Sequence, residues 1–284
     1  MHGYTVNMWK YLVTSGCSFS DNLRPPTGES TRWPMFLADY TGMTVYSRGQ
    51  GSAGNDWIAD STIYQISELL HQGCKPEEII AIVMWSGIDR NSIFISSDGT
   101  AQYDNLQVEQ FMSNPASFTA NPANEYYNPP RNGSGWLLGS AHCSFPNERI
   151  QQYKQLLVAR YLNDEALMIR SLDNWLKLQW FCAARGVKLV NLTYMNIWHY
   201  PGYGYISDKD AGPKEIPYFY DHYGSNIQHL YRELDQSQWL FYGDRGGMFE
   251  WCRAEGLGFY SDDVHPSIAS HRKFAEEWLW PRIS

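Results

Sequence analysis

The chain lacks the marks of disulfide-stabilised, zinc-binding and membrane proteins. Its five cysteines are odd in number and widely spaced, and none forms a Cys-x-x-Cys pair. This spacing predicts neither a disulfide framework nor a zinc site, and it favours a reducing compartment. No apolar stretch approaches the roughly 18 residues of a membrane-spanning helix, and no basic segment followed by an apolar run opens the chain. We therefore expect neither a membrane span nor a signal peptide.

Clusters of positive charge are also missing. The chain has 22 basic and 30 acidic residues, a formal net charge of −8, and the basic residues are scattered. This distribution offers no footprint for a phosphate backbone or an anionic membrane surface, so we expect no nucleic-acid partner and no membrane partner. The 284 residues suffice to bury a sizeable core, and no linker or repeat divides them. We expect one domain over residues 1–284.

Aromatic residues, in contrast, are abundant, since Trp, Tyr and Phe make up 15% of the chain. Core packing is the ordinary explanation for any single ring. The stretch 195–224 is irregular, however, and it carries Trp198, Tyr200 and several more tyrosines. If it lies beside a ligand site, Trp198 and Tyr200 bind substrate, for example by stacking on a sugar ring; a protein interface and simple packing are the alternatives.

Strand and helix patterns alternate along most of the chain. We predict strands at the start of the 11–20 stretch and at 43–46, 78–85 and 187–194, and helices at 31–40, 57–70, 148–185, 227–239, 249–255 and 268–279. This alternation predicts an α/β fold, a three-layer α/β/α sandwich with a parallel, flavodoxin-like sheet. Two long insertions, about 91–147 and 195–224, interrupt it, and the first is either a lid or a segment of irregular structure.

A possible nucleophile follows the first strand in the turn Gly16-Cys17-Ser18. A serine there lies at the edge where open α/β sheets bind ligands. Near the other end of the chain, Asp262 and His265 are three residues apart, and a hydroxyl, an imidazole and a carboxylate are the groups that nucleophilic acyl transfer needs. Cys17 is a poorer nucleophile candidate because neighbouring side chains on a strand point oppositely. The alternative is that Ser18 caps a helix and that Asp262 and His265 form a surface turn.

A glycine-rich turn, 47–55, follows the second predicted strand. The spacing of Gly49, Gly51 and Gly54 matches a dinucleotide-binding fingerprint, but the acidic residue that should end the next strand would be Glu68, inside a predicted helix. We therefore expect no nucleotide cofactor. The turn is better explained as one that brings a backbone N–H close to a ligand beside Ser18.

Taken together, these segments resemble the SGNH/GDSL hydrolases, whose four sequence blocks occur in this order along an α/β/α sandwich. The resemblance covers nearly the whole chain. It implies that Ser18, Asp262 and His265 are catalytic, and that the oxyanion hole is formed by Ser18, Gly51 and the third-block residue, here Asp89. The implied activity is that of a serine esterase without metal or cofactor, acting on an acyl ester of a small molecule or, given the aromatic loops, a carbohydrate.

The third block departs from the family pattern. The family has Gly-x-Asn-Asp, whereas this chain has Gly87-Ile88-Asp89-Arg90. An ionised Asp89 would oppose an oxyanion by about 4 kcal/mol at ~4 Å and an effective dielectric of ~20, and a lost donor typically costs about a hundred- to a thousand-fold in rate. Either Asp89 is protonated and donates, or Arg90 neutralises or replaces it beside the substrate, or the site is slow or inactive.

The Trp-Ser-Gly-Ile-Asp-Arg form and the Gly-Cys-Ser-Phe-Ser stretch are similar to a subgroup found among marine bacteriophage proteins. That similarity implies an alternative function, a virion structural or receptor-binding protein that keeps the fold without useful catalysis. Its partners would be virion proteins. We expect a cytoplasmic location, which for a phage protein means the host cytoplasm or the virion.

Overall fold

The computed structural model describes residues 9–21, 32–51, 53–88, 90–95, 135–140, 164–197, 224–243, 245–260 and 265–284. The strands in these ranges are β1 (Tyr11–Gly16), β2 (Thr44–Ser47), β3 (Ile79–Trp85), β4 (Arg90–Ile95), β5 (Gly135–Ser140) and β6 (Lys188–Thr193). The helices are α1 (Trp33–Thr41), α2 (Asn55–His71), α3 (Asp164–Arg185), α4 (Gly224–Arg232), α5 (Met248–Ala254), α6 (Ile268–Lys273) and α7 (Trp280–Ile283). A π-helical segment, Phe274–Leu279, joins α6 to α7, and short 3-10 turns lie at Pro76–Glu78 and Gln236–Gln238.

Four strands form a parallel sheet in the order β2-β1-β3-β6. Gly16 of β1 pairs with Met84 of β3, and Thr14 pairs with Ser47 of β2. Because every pairing is parallel, the carboxyl ends of these strands meet at one edge. The chain runs from β1 to β2 on one side and then to β3 on the other, so the order reverses at β1. Flavodoxin-like sheets bind ligands at such a point.

Helices cover both faces of this sheet and confirm the predicted α/β fold. On one side α2 packs against β1 and β3, and α3 packs against α2 and β6. On the other side α1 packs against β2, α6 and the π-helical segment. All seven residues of β3 are fully buried, as expected for a central strand with apolar layers on both faces. In the described ranges, no helix has the length and apolar character needed to cross a membrane.

Part of the first predicted insertion is regular rather than irregular. β4 and β5 pair antiparallel, with Arg90 opposite Ser140, and form a second sheet. The hairpin is tied to the helices through Ser92, whose carbonyl accepts from Arg170 Nη2 (3.3 Å) and whose hydroxyl accepts from Gly54 N–H (2.9 Å). The two strands are far apart in sequence, so neither shows a local hairpin signal.

Two helix boundaries also differ from prediction. The helix predicted to run to Trp239 ends at Arg232, because Trp239 forms a parallel bridge with Asn191 of β6 and adds to the sheet edge. The helix predicted from residue 57 begins at Asn55, with Gly54 at the N-cap position. The Asn55 side-chain amide accepts from Ser86 N–H at 3.0 Å and donates to Ser171 Oγ at 3.0 Å, so tertiary contacts hold this end of the helix.

Candidate active site

The turn after β1 presents a single half-exposed side chain. Ser20 N–H donates to the Cys17 carbonyl at 2.8 Å and closes the turn. Cys17, Phe19 and Ser20 are buried, whereas Ser18 is half-buried. Cys17 is fully enclosed in the core, so it does not share the position of Ser18 at the sheet edge.

Two glycines let the backbone close around this turn. A Cβ on Gly49 would overlap the Ser20 carbonyl, and one on Gly16 would overlap the Ser20 hydroxyl. Gln50 N–H donates to the Gly16 carbonyl at 2.9 Å, so the glycine-rich segment runs directly along the end of β1. The glycine-rich segment therefore lies against the turn that carries Ser18, and side chains at Gly16 and Gly49 would block this close packing.

The start of α1 holds the turn from the other side. Trp33 Nε1 donates to Ser20 Oγ at 3.0 Å, and both residues are fully buried. Arg32 Nε donates to the Ser18 carbonyl at 3.2 Å. Neither contact follows from the sequence motifs, because nothing in the local pattern connects this helix to the turn that carries Ser18.

His265 lies against the side chain of Ser18. Its Nε2 atom is 2.6 Å from Ser18 Oγ, although the two residues are 247 positions apart. The Phe19 ring packs beside the imidazole, with 4.9 Å between ring centroids. Tyr260 N–H donates to the His265 carbonyl at 3.1 Å, and an antiparallel bridge joins Phe259 to Pro266. These bonds fix the segment that carries the imidazole.

Four of the predicted site residues, Asp89, Trp198, Tyr200 and Asp262, lie outside the described residues. The roles assigned to them therefore stay predictions. The Nδ1 atom of His265, which a catalytic carboxylate would engage, is buried.

Gly51 and Asp21 form a contact that the sequence did not predict. Gly51 N–H, the predicted oxyanion donor, donates to Asp21 Oδ2 at 2.8 Å, and Asp21 is only 5% exposed. The predicted oxyanion donor, Gly51 N–H, is therefore already hydrogen-bonded to the Asp21 carboxylate in the structure. Gly54 N–H is directed elsewhere, to Ser92 Oγ.

Arg90 is linked to His265 indirectly, by contacts through the rings of Tyr194 and Phe19. Its guanidinium carbon lies 5.4 Å from the centroid of the Tyr194 ring, which is itself edge-on to Phe19 at 5.2 Å. Phe19 in turn contacts His265. Arg90 thus belongs to the cluster that surrounds the imidazole, but these contacts do not establish the predicted substrate contact.

Two buried ionisable groups lie near these segments. His271 is fully buried, and neither ring nitrogen has a hydrogen-bond partner among the described residues. Burial lowers its pKa well below the ordinary value, and the positive charge of Arg32 and the neighbouring His265 lower it further. Burial raises the pKa of Glu250, partly offset by the backbone N–H groups of Asn196 and Gly247, which donate to its carboxylate.

Two of the described thiols, Cys182 and Cys252, are not suited to nucleophilic chemistry. Burial raises the pKa of Cys182 to about 12, and burial together with Glu250 raises that of Cys252 to about 12. Such thiols stay protonated at neutral pH and react poorly. Among the described residues, no three His, Cys, Asp or Glu side chains are grouped as metal ligands.

No protein family model matches this chain, and no curated protein matches it. Among solved structures, a crystal structure of protein YXIM from Bacillus subtilis is similar, with a TM-score of 0.42, 12% sequence identity and 94% of this chain covered. The match covers 54% of that chain, so this protein spans about half its length. A likeness of this degree assigns no activity.

Proposed function

We propose that this protein is a serine ester hydrolase of the SGNH type, with Ser18 as nucleophile and His265 as general base. The observation that carries the proposal is the 2.6 Å contact between Ser18 Oγ and His265 Nε2 at the carboxyl edge of the parallel sheet. A serine hydroxyl is a weak nucleophile until a base within hydrogen-bond distance accepts its proton. Ser18 is also half-buried, whereas Cys17, Phe19 and Ser20 beside it are buried.

The reaction has two steps. In the first, Ser18 Oγ attacks the acyl carbon, His265 Nε2 takes the hydroxyl proton, and the proton passes to the departing alcohol oxygen as the ester bond breaks. In the second, His265 accepts a proton from water, whose oxygen attacks the acyl carbon. The bond between that carbon and Ser18 Oγ breaks, His265 returns the proton to Ser18 Oγ, and the acid leaves. Asp262 is proposed to accept a hydrogen bond from His265 Nδ1 and to stabilise the imidazolium, as its spacing from His265 predicts.

The oxyanion would be bound by the N–H groups of Ser18 and Gly51. In the described structure Gly51 N–H donates to Asp21, so an oxyanion must compete with that carboxylate. Asp89 next to Arg90 remains the predicted third component. The charges of Asp21, Asp89 and Arg90 around the oxyanion therefore decide whether hydrolysis is fast or slow, because each oxyanion donor contributes on the order of a hundred- to a thousand-fold to the rate.

Ser18→Ala tests the proposal directly. We expect it to abolish hydrolysis of p-nitrophenyl acetate and labelling by a fluorophosphonate, while circular dichroism and the melting temperature stay unchanged. Ser237→Ala is the matched control, because Ser237 is exposed on the Gln236–Gln238 turn. Within the described residues, its N–H and its hydroxyl both donate to Asp235 Oδ1. Wild-type protein that neither labels nor hydrolyses simple esters would refute the proposal.

A further inference from the structure

Arg32 connects the two segments that meet at the proposed site. Its Nε atom donates to the Ser18 carbonyl at 3.2 Å, and its guanidinium carbon lies 6.0 Å from the centroid of the Tyr260 ring. Tyr260 N–H in turn donates to the His265 carbonyl at 3.1 Å. The Arg32 guanidinium therefore donates directly to the turn that carries Ser18, and it also lies over the ring of Tyr260, whose backbone N–H bonds to His265.

The position of Arg32 is fixed by the start of α1. Its backbone is extended, with φ −129° and ψ 155°, and its carbonyl accepts from Met35 N–H at 3.2 Å and Phe36 N–H at 3.3 Å. The next residue, Trp33, donates to Ser20 Oγ. Two consecutive side chains thus hold the nucleophile turn, one at Ser18 and one at Ser20.

Packing alone does not explain an arginine here. The residue is only 9% exposed, and burying a cation is costly unless specific contacts compensate. It also lies near the His271 imidazole, whose pKa its positive charge lowers. An apolar side chain would fill this space without that electrostatic cost.

We propose that Arg32 is a positioning residue that keeps the Ser18 hydroxyl and the His265 imidazole at hydrogen-bond distance during acyl transfer. The inference rests on the proposed esterase function. A planar guanidinium can donate in its plane while a ring packs on its face, a combination that a lysine ammonium does not reproduce. Misplacing reacting groups by ~1 Å can cost about a hundredfold in rate, so a small shift of either segment is sufficient.

The test separates positioning from general stability. In Arg32→Met, which keeps an apolar stem, we expect kcat for p-nitrophenyl acetate and the rate constant of fluorophosphonate labelling to fall by at least about tenfold. KM and the final fraction of labelled Ser18 should stay close to wild type. In Arg32→Ala, added methylguanidinium should restore part of the labelling rate, and it should not accelerate the wild type. If Arg32→Met does not fold, Arg32→Lys replaces it, with the same expected loss of kcat.

Arg282→Met is the control for loss of a similar pair of contacts elsewhere. Arg282 Nη1 donates to the Trp278 carbonyl at 2.6 Å, and its guanidinium carbon lies 4.8 Å from the Trp278 ring centroid. We expect this variant to keep the wild-type kcat. An active wild type with unchanged kcat and labelling rate in the Arg32 variants would overturn the inference while leaving the esterase proposal intact. An inactive, unlabelled wild type would overturn the esterase proposal and this inference with it.

Discussion

Ser18 Oγ and His265 Nε2 lie 2.6 Å apart, although one belongs to the turn after the first strand and the other to the segment before the last helices. Two sets of bonds hold the segments that make this contact. The Ser18 turn is held by Arg32, Trp33 and the glycine-rich segment, and the His265 segment by its backbone pairing with residues 258–260. The following predictions test whether this geometry produces hydrolysis.

Replacing the base should remove activity without removing the fold. In His265→Gln we expect kcat/KM for p-nitrophenyl acetate to fall by at least about a thousandfold, because the amide cannot accept the Ser18 proton. His71→Gln, at an exposed position at the end of α2, should keep full activity. A wild-type rate in His265→Gln would contradict the assignment.

The two glycines beside the nucleophile turn should differ in their tolerance of a side chain. Gly49→Ala places a Cβ on the Ser20 carbonyl, so we expect a loss of stability of about 1–3 kcal/mol and a large loss of activity. Among the described residues, a Cβ at Gly51 meets only Asp21 Oδ2, at 3.4 Å, and Gly51→Ala keeps its N–H. We expect Gly51→Ala to retain most of the wild-type stability and activity. Urea denaturation measures the loss of stability and ester hydrolysis the loss of activity. Equal losses in the two variants would contradict the prediction.

Asp21 should limit the rate if its carboxylate competes with the oxyanion for Gly51 N–H. Asp21→Asn retains an acceptor for Gly51 but removes the charge, and neutral acceptors bind N–H groups less strongly than carboxylates do. We expect kcat to rise about three- to tenfold, a small part of what a full oxyanion donor contributes. Asp60→Asn, at a half-exposed carboxylate paired with Lys177, is the control and should leave kcat unchanged. A lower kcat in Asp21→Asn would indicate instead that the Asp21 carboxylate stabilises the glycine-rich turn through its bond to Gly51 N–H.

His271 should make the protein sensitive to acid. Its pKa is lowered in the folded state, so below its ordinary value of ~6.5 the unfolded chain binds a proton that the folded chain excludes. The free energy of unfolding therefore falls as the pH decreases from that value, by about 1.4 kcal/mol per pH unit. Between pH ~7.5 and ~5.5 we expect the wild type to lose about 1.4 kcal/mol more than His271→Leu.

Urea denaturation at the two pH values measures this difference. Arg32 and His265 both add to the effect, because positive charges near His271 disfavour its protonation. Glu250 acts in the opposite direction, since its raised pKa lowers stability as the pH increases above its ordinary value. Glu250 is present in both proteins, so the comparison isolates His271. Equal losses in wild type and His271→Leu would show that His271 takes no part in the response.

Much of the fold could be predicted from local sequence. The strand predicted at 78–85 is confirmed, since the structure has a strand at Ile79–Trp85 whose residues are all apolar and buried. The Gly16-Cys17-Ser18 turn and the glycines near Gly49 were correctly placed at the sheet edge, because parallel strands bring their carboxyl ends together. The β4–β5 hairpin and the bridge at Trp239 were missed, since each depends on a partner strand far away in the chain.

The chemical identity of the candidate site was present in the sequence, because a hydroxyl and an imidazole are properties of single residues such as Ser18 and His265. The tertiary structure alone decided that these two atoms meet, that a carboxylate from Asp21 occupies Gly51 N–H, and that Arg32 joins the two segments. The physical reason is that hydrogen bonds and buried charges act over a few ångströms. The distances between residues so far apart in the chain are set only when the sheet and its helical layers pack.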